Sequence, residues 1–202
     1  MTTETDIANM ALDILVEAPI GSFDDNRPVA RWFRRNFAQR RQALLSKWEW
    51  NFAIRRVALA QMETRPAFGW SRQYAIPSDY LRILPLTQTG HRNGRPIDYE
   101  VENDVILTDA GAPLRLRYIV DNVNYDSWSS AAIDALKADL ARMLAHWITG
   151  KTGFYQIASD MFNQAISEAW LIDAVEGTVT EAADNDWIDA RNGVSGDRGW
   201  ID

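Results

Sequence analysis

The sequence predicts a mainly α fold with a β insertion: a four-helix bundle with a small antiparallel β-sheet between helices two and three, plus an extended C-terminal arm. Three observations predict it. Apolar residues recur three and four apart before Asn51 and again after Ser129. Between these regions the chain breaks into short runs rich in Tyr, Ile, Val and Leu, divided by turn-forming stretches. From Gly177 onward it is polar and acidic with no sustained period. The 202 residues fit one domain over 1–176, with the insertion at about 72–120 and the acidic arm at 177–202.

The first helix is expected from Thr5 to Ala18, where Ile7, Ala11, Ile14, Leu15 and Ala18 share a face. The stretch "EAPIGSFDDNRP" breaks it with proline and glycine. A second helix starts with Asn26 as N-cap and Pro28 in its first turn. Val29, Trp32, Phe33, Phe37, Leu44, Leu45 and Trp48 recur along it, and most of its arginines fall between them.

The runs "RQYAIP", "YLRILPL", "IDYEV", "VILT" and "LRLRYIV" read as strands of one sheet from about Gln73 to Val120. In the last run Leu114, Leu116 and Tyr118 face one side, leaving Arg115 and Arg117 on an open face. Helix three begins with Ser129 or Ser130 as N-cap and carries Ile133, Leu136, Leu140, Met143 or Leu144, and Trp147. "TGKTG" turns the chain into helix four. There Phe154, Ile157, Met161, Ala165, Ile166, Ala169 and Ile172 oppose Asp160, Asn163, Ser167 and Glu168. Two such helices joined by a short turn form an antiparallel hairpin.

Composition narrows the chemistry. There are no cysteines, which excludes disulfides, thiolate zinc sites and cysteine nucleophiles and suits a reducing compartment. The opening "MTTETDIANM" is polar and acidic, unlike a signal peptide, and no apolar run approaches the roughly 18 residues of a membrane span. "GKT" at Gly150–Thr152 lacks the earlier glycine of a phosphate loop, with Ala145 in its place, and follows a helix where that motif follows a strand. "DNDWID" sets Ile188 and Asp189 where a calcium loop needs an oxygen ligand and a glycine. His91 and His146 have no metal-ligand spacing, and no nucleophile motif is present. The expectation is a protein that is not an enzyme and carries no cofactor or metal.

The net charge of −7 conceals an asymmetry. From Arg27 to Arg56 nine basic residues face one acid, Glu49, a balance of +8, and the remaining chain carries −15. A basic block in an acidic chain calls for a partner: phosphate, an acidic surface, or the acidic part of a neighbouring copy. Arginines along helix 27–56 can neutralise nucleic-acid phosphates. They can also form a solvated helix face. Equally, Arg and Trp are enriched at protein interface hot spots, and a basic face with an acidic remainder can pair head to tail between copies.

Five landmarks occur in order: "WNFAIRRVALA" (Trp50–Ala60), "FGW" (Phe68–Trp70), "YAIPSDYLRIL" (Tyr74–Leu84), "VILTDAGAPLRLRYI" (Val105–Ile119) and "ALKADLARMLAHWITG" (Ala135–Gly150). Together they resemble the tail tubular protein A family, the head-to-tail adaptors (connectors) of short-tailed bacteriophages, over roughly Ile7–Glu176. Trp50, Asn51, Phe52 and Ala53 are the family motif, whereas Trp48 and Glu49 stand where many relatives have His-Pro. The resemblance implies a structural virion protein with a helical bundle and a β-rich insertion. It implies a homo-oligomer, a twelve-copy ring in the neck between head and tail, assembled in the host cytoplasm. The ring would join the portal protein to the tail nozzle protein, with no membrane involved. Double-stranded DNA would pass through its channel without sequence-specific binding. Arg34, Arg35, Arg40 and Arg41 would meet acidic surface on the next copy or the portal. Trp187, Ile188, Arg191 and Trp200 would anchor the arm on a partner. The alternative expectation is a small nucleic-acid-binding or packaging accessory module using the basic helix 27–56.

Overall fold

In the computed structural model, which describes residues 1–150 and 152–177, the chain begins with a reciprocal helix cap. The Thr3 hydroxyl accepts from the Asp6 amide at 3.1 Å, and the Asp6 carboxylate accepts from the Thr3 amide at 2.9 Å. The Thr3 hydroxyl also donates to that carboxylate at 2.7 Å, and this bond first, then the one from the Thr3 amide, holds the Asp6 carboxyl below its usual pKa. Helix α1 (Glu4–Ile14) buries Ile7, Ala8, Ala11 and Leu12. It ends four residues before the expected Ala18. Glu17 donates to the Leu12 carbonyl at 3.0 Å and Val16 to that of Asp13 at 3.1 Å, the bonding of a Schellman cap. The position that usually takes glycine holds Val16 at φ 58°. The following loop is pinned by Asn9, whose side chain both donates to and accepts from the Ile20 backbone.

Helix α2 (Pro28–Lys47) starts with proline at N1 after Arg27, so the Asn26 side chain does not cap it. It buries Val29, Ala30, Phe33, Phe37, Arg41, Leu44 and Leu45. A 3₁₀ turn, Asn51–Ala53, leads into the strands: β1 (Ile54–Leu59), β2 (Arg72–Ala75), β3 (Tyr80–Ile83), β4 (Glu100–Glu102), β5 (Val105–Thr108) and β6 (Leu114–Val120). A second 3₁₀ turn, Tyr125–Ser127, precedes α3 (Ser130–Thr149) and α4 (Thr152–Gly177). Ser129 caps α3, accepting from the Ala132 amide at 3.2 Å, and Gly150 at φ 59° closes it. Only a residue free to adopt left-handed backbone makes that turn without strain.

The predicted four-helix bundle with one small inserted sheet is corrected. The helices lie N- and C-terminal to a sheet region that forms two three-stranded antiparallel sheets, ordered β1-β6-β3 and β2-β5-β4. The physical reason is β1. "IRRVAL" lacks the period-two pattern because of Arg55 and Arg56, yet its backbone pairs with β6 from Ile54↔Ile119 to Leu59↔Leu114. Strands therefore begin at Ile54, well before 72. With six strands the sheets bury their own core of Leu59, Tyr74, Ile76, Leu86, Ile106, Leu114, Leu116, Tyr118 and Val120. The helices do not close a symmetric bundle either. Helix α3 is the centre, touching α1, α2 and α4, while α2 also leans on β3 and β6.

Strand β6 joins the two cores. Leu114, Leu116 and Tyr118 point into the sheet core, and Ile119 on the opposite face enters the helical core. The expected open arginine face is open only at Arg115, because Arg117 is 8% exposed. On α4 the expected Ala165 and Ala169 are buried, and Phe154, Ile166 and Ile172 pack partly buried against the core, but Ala158 and Phe162 take the inner positions expected for Ile157 and Met161, which stay exposed.

Candidate interface on the basic helix

The sequence-selected residues on α2 and its C-terminal junction separate by environment. Arg41 is 5% exposed. Its Nε and Nη2 donate to the two Asp121 carboxylate oxygens at 2.7 and 2.9 Å, a bidentate fork. Its Nη1 donates to Glu4 Oε1 at 2.6 Å and to the Tyr125 hydroxyl at 2.9 Å. One guanidinium thus ties α1, α2, the end of β6 and the second 3₁₀ turn together. Burial opposes its charge, but the bonds to Asp121 and Tyr125 outweigh burial and raise its pKa. Burial alone would raise the Asp121 pKa; the bonds from Arg41 and Gln42 reverse that and lower it. Burial also raises the Tyr125 pKa, against the pull of Arg41.

Arg40 is spent in a second internal network. Its Nε donates to Asp139 Oδ2 at 2.6 Å, and Arg142 donates to Asp139 Oδ1 at 2.8 and 2.6 Å. Asp139 is almost fully buried, so two cations compensate one carboxylate between α2 and α3. Arg142 also lies over the Phe162 ring at 4.3 Å, linking the network to α4.

Arg34 and Arg35 are exposed. Arg34 has one loose contact, 3.5 Å to a largely exposed Asp24 carboxylate, a pair of little energetic weight. Arg31 is exposed too and reaches Asn26. The outward basic strip is therefore Arg31, Arg34 and Arg35, while Arg40 and Arg41 already have acids of their own chain. Arg191, Trp187, Ile188 and Trp200 lie outside the described residues.

The Trp50–Ala53 motif is a packed junction. Trp50 is 2% exposed, and its indole donates to the Leu44 carbonyl at 3.1 Å. Ala53 is fully buried and its amide donates to the Trp50 carbonyl at 2.9 Å. Phe52 stacks on Trp128 with centroids 5.0 Å apart, and Asn122 bonds the Phe52 carbonyl at 2.8 Å. Asn51 is exposed. One unbroken path of ring contacts runs from Trp32 through Phe33, Phe23, Phe37, Tyr125, Trp128, Phe52 and Trp50 to Trp48. The tryptophans of this segment thus belong to a core. Lys47, over the Trp48 ring at 5.0 Å, covers its edge.

Sequence reasoning missed a surface on the C-terminal hairpin. Met143 and Trp147 on α3, and Tyr155, Ile157, Met161, Trp170 and Leu171 on α4, are all more than a third exposed. By helical geometry Ile157, Met161 and Leu171 flank the buried stripe of α4 on one side, and Tyr155 and Trp170 on the other. Nine tryptophans in the composition signalled an interface but not its place.

Among the described residues no cluster of His, Asp and Glu could hold a metal ion, and no helix is long and apolar enough to cross a membrane. No family model matches the chain, and no curated protein matches it.

Proposed function

We propose that the chain is a non-enzymatic structural protein that assembles head to tail into a ring, the head-to-tail adaptor in the virion neck of a short-tailed bacteriophage. In this reading the ring joins the portal protein to the tail nozzle protein, and double-stranded DNA passes through without sequence-specific binding. The observation that carries the assembly is the double apolar flank of α4. Large apolar groups stand exposed on both sides of this one helix, and they suit a neighbour copy. The charge asymmetry supports the same contact, since Arg31, Arg34 and Arg35 can meet the acidic remainder of the next copy. Different patches meeting on each copy make a heterologous contact, the kind that closes into rings. The basic strip faces a protein neighbour, and the channel wall is acidic, which keeps passing DNA from adhering.

The test is sedimentation of the parent chain beside a Trp170→Ser, Leu171→Ser double variant, alone and with portal protein. Both positions are exposed, so the fold should survive. The reading expects a large discrete oligomer from the parent and monomers from the variant. Equal sizes for the two would remove the α4 contact. A second reading, nucleic-acid binding through helix 27–56, draws on the exposed Arg31, Arg34 and Arg35. It has fewer cations to work with, because Arg40 and Arg41 are held by Asp139 and Asp121.

A further inference from the structure

The face of the β1-β6-β3 sheet that carries arginines holds more positive charge than the described residues neutralise. Arg56 on β1 stands directly across the ladder from Arg117 on β6, where like charges repel. Arg115 shares that face two residues away, and Arg92 approaches from the β3–β4 connection. The acid beside them is Glu49, 3.8 Å from Arg92 and 3.9 Å from Arg117, beyond hydrogen-bond range of either. Arg117 is more than nine-tenths buried, and its Nε has no hydrogen-bond partner among the described residues. A buried donor left unpaired on a charged group is costly, and a bound ion is one way it is satisfied. Burial first, then the nearby Arg56 and Arg92, hold the Arg117 pKa below its usual value against the pull of Glu49.

A pocket of about 310 Å³ opens on this face, lined by Arg56, Arg115, Arg117, Thr89, Gly90 and His91 among others. Its rim is shaped by Gly90. At φ 75°, with space for a Cβ only 2.9 Å from Arg115 Cβ, this position lets the loop close onto β6. The volume is at the small end of ligand sites.

We propose that this pocket binds a phosphate-class oxyanion, held by the guanidinium groups of Arg56, Arg115 and Arg117 and the Thr89 hydroxyl. Such an anion supplies the charge the cluster lacks, and planar guanidinium forks match tetrahedral oxyanions. It arrives either as a free phosphate or as a backbone phosphate of the nucleic acid. The site is separate from the α4 flanks and stands or falls without the ring.

The experiment titrates the full chain with sodium phosphate, acetate and chloride at matched ionic strength, read by thermal shift and by the Arg side-chain Nε resonances. Phosphate should raise the melting temperature saturably, and acetate and chloride should not. Arg56→Ala and Arg115→Ala, at exposed positions that should leave folding intact, should each weaken phosphate binding about tenfold. A short DNA duplex that displaces phosphate from the parent assigns the anion to nucleic acid; one that leaves phosphate in place assigns it to a free anion. The proposal is overturned by equal responses to the three salts, or by parent-like affinity in both arginine variants.

Discussion

Replacing Arg41 with leucine should unfold the junction that α1, α2 and the end of β6 share. The side chain makes four hydrogen bonds of 2.6–2.9 Å to Asp121, Glu4 and Tyr125. Removing one partner of a buried ion pair costs about 3–5 kcal/mol, because the other is left desolvated and alone. Here the lower end applies. The Asp121 side chain is 22% exposed and that of Glu4 41%, so water recovers part of what they lose. A cost of about 3 kcal/mol corresponds to a fall in melting temperature of about 6–12 °C for a chain of this size. Glu4→Gln is the control: its more exposed contact should cost only about 0–1 kcal/mol. Thermal and urea unfolding of both variants measure this. The node has a pH signature as well. Its Asp121 pKa is depressed by folding, so the stability it contributes is present above the ordinary carboxylate pKa of about 3.9 and is lost as pH falls through the lower folded value. Arg41→Leu should flatten that acid limb. A variant within 1 kcal/mol of the parent, with the acid limb unchanged, would refute the reasoning.

Three further outcomes are expected. Val16→Gly should stabilise the chain by up to about 1 kcal/mol, since left-handed backbone strains a β-branched residue and glycine's added freedom when unfolded offsets part of the gain; calorimetry showing a lower melting temperature would count against the strain. Trp50→Ala should cost about 3–5 kcal/mol by urea unfolding, whereas Trp147→Ala, half exposed, should stay within about 0.5 kcal/mol. Arg34→Glu with Arg35→Glu should block assembly or portal docking; if it abolishes salt-dependent duplex binding and spares assembly, the nucleic-acid reading replaces the ring.

How legible the molecule was depended on how far apart its partners lie. Short-range signals carried: Phe33, Phe37 and Leu44 mark the buried face of α2, Ser129 caps α3, Gly150 closes it, and Leu114, Leu116 and Tyr118 point inward together. The bundle did not, because β1 is a strand only through its pairing with β6, some sixty residues on, and two arginines hide its pattern. The basic block misled for the same reason. Arg41 finds Asp121 eighty residues away, and Arg40 finds Asp139 ninety-nine away, distances that no local pattern encodes. One acid, Asp139, sits among the apolar residues of α3 and was the available hint that a cation would be buried against it. On α4, Ala158 and Phe162 are buried where Ile157 and Met161 were expected, so two positions of the inner face were misplaced by one residue while Ala165 and Ala169 held.

The proposal that this chain is a ring-forming adaptor is tested most directly by native mass spectrometry of the full chain, with and without portal protein. The account predicts a single large closed oligomer of fixed copy number, formed alone or on portal addition. A monomer or dimer under both conditions would contradict it.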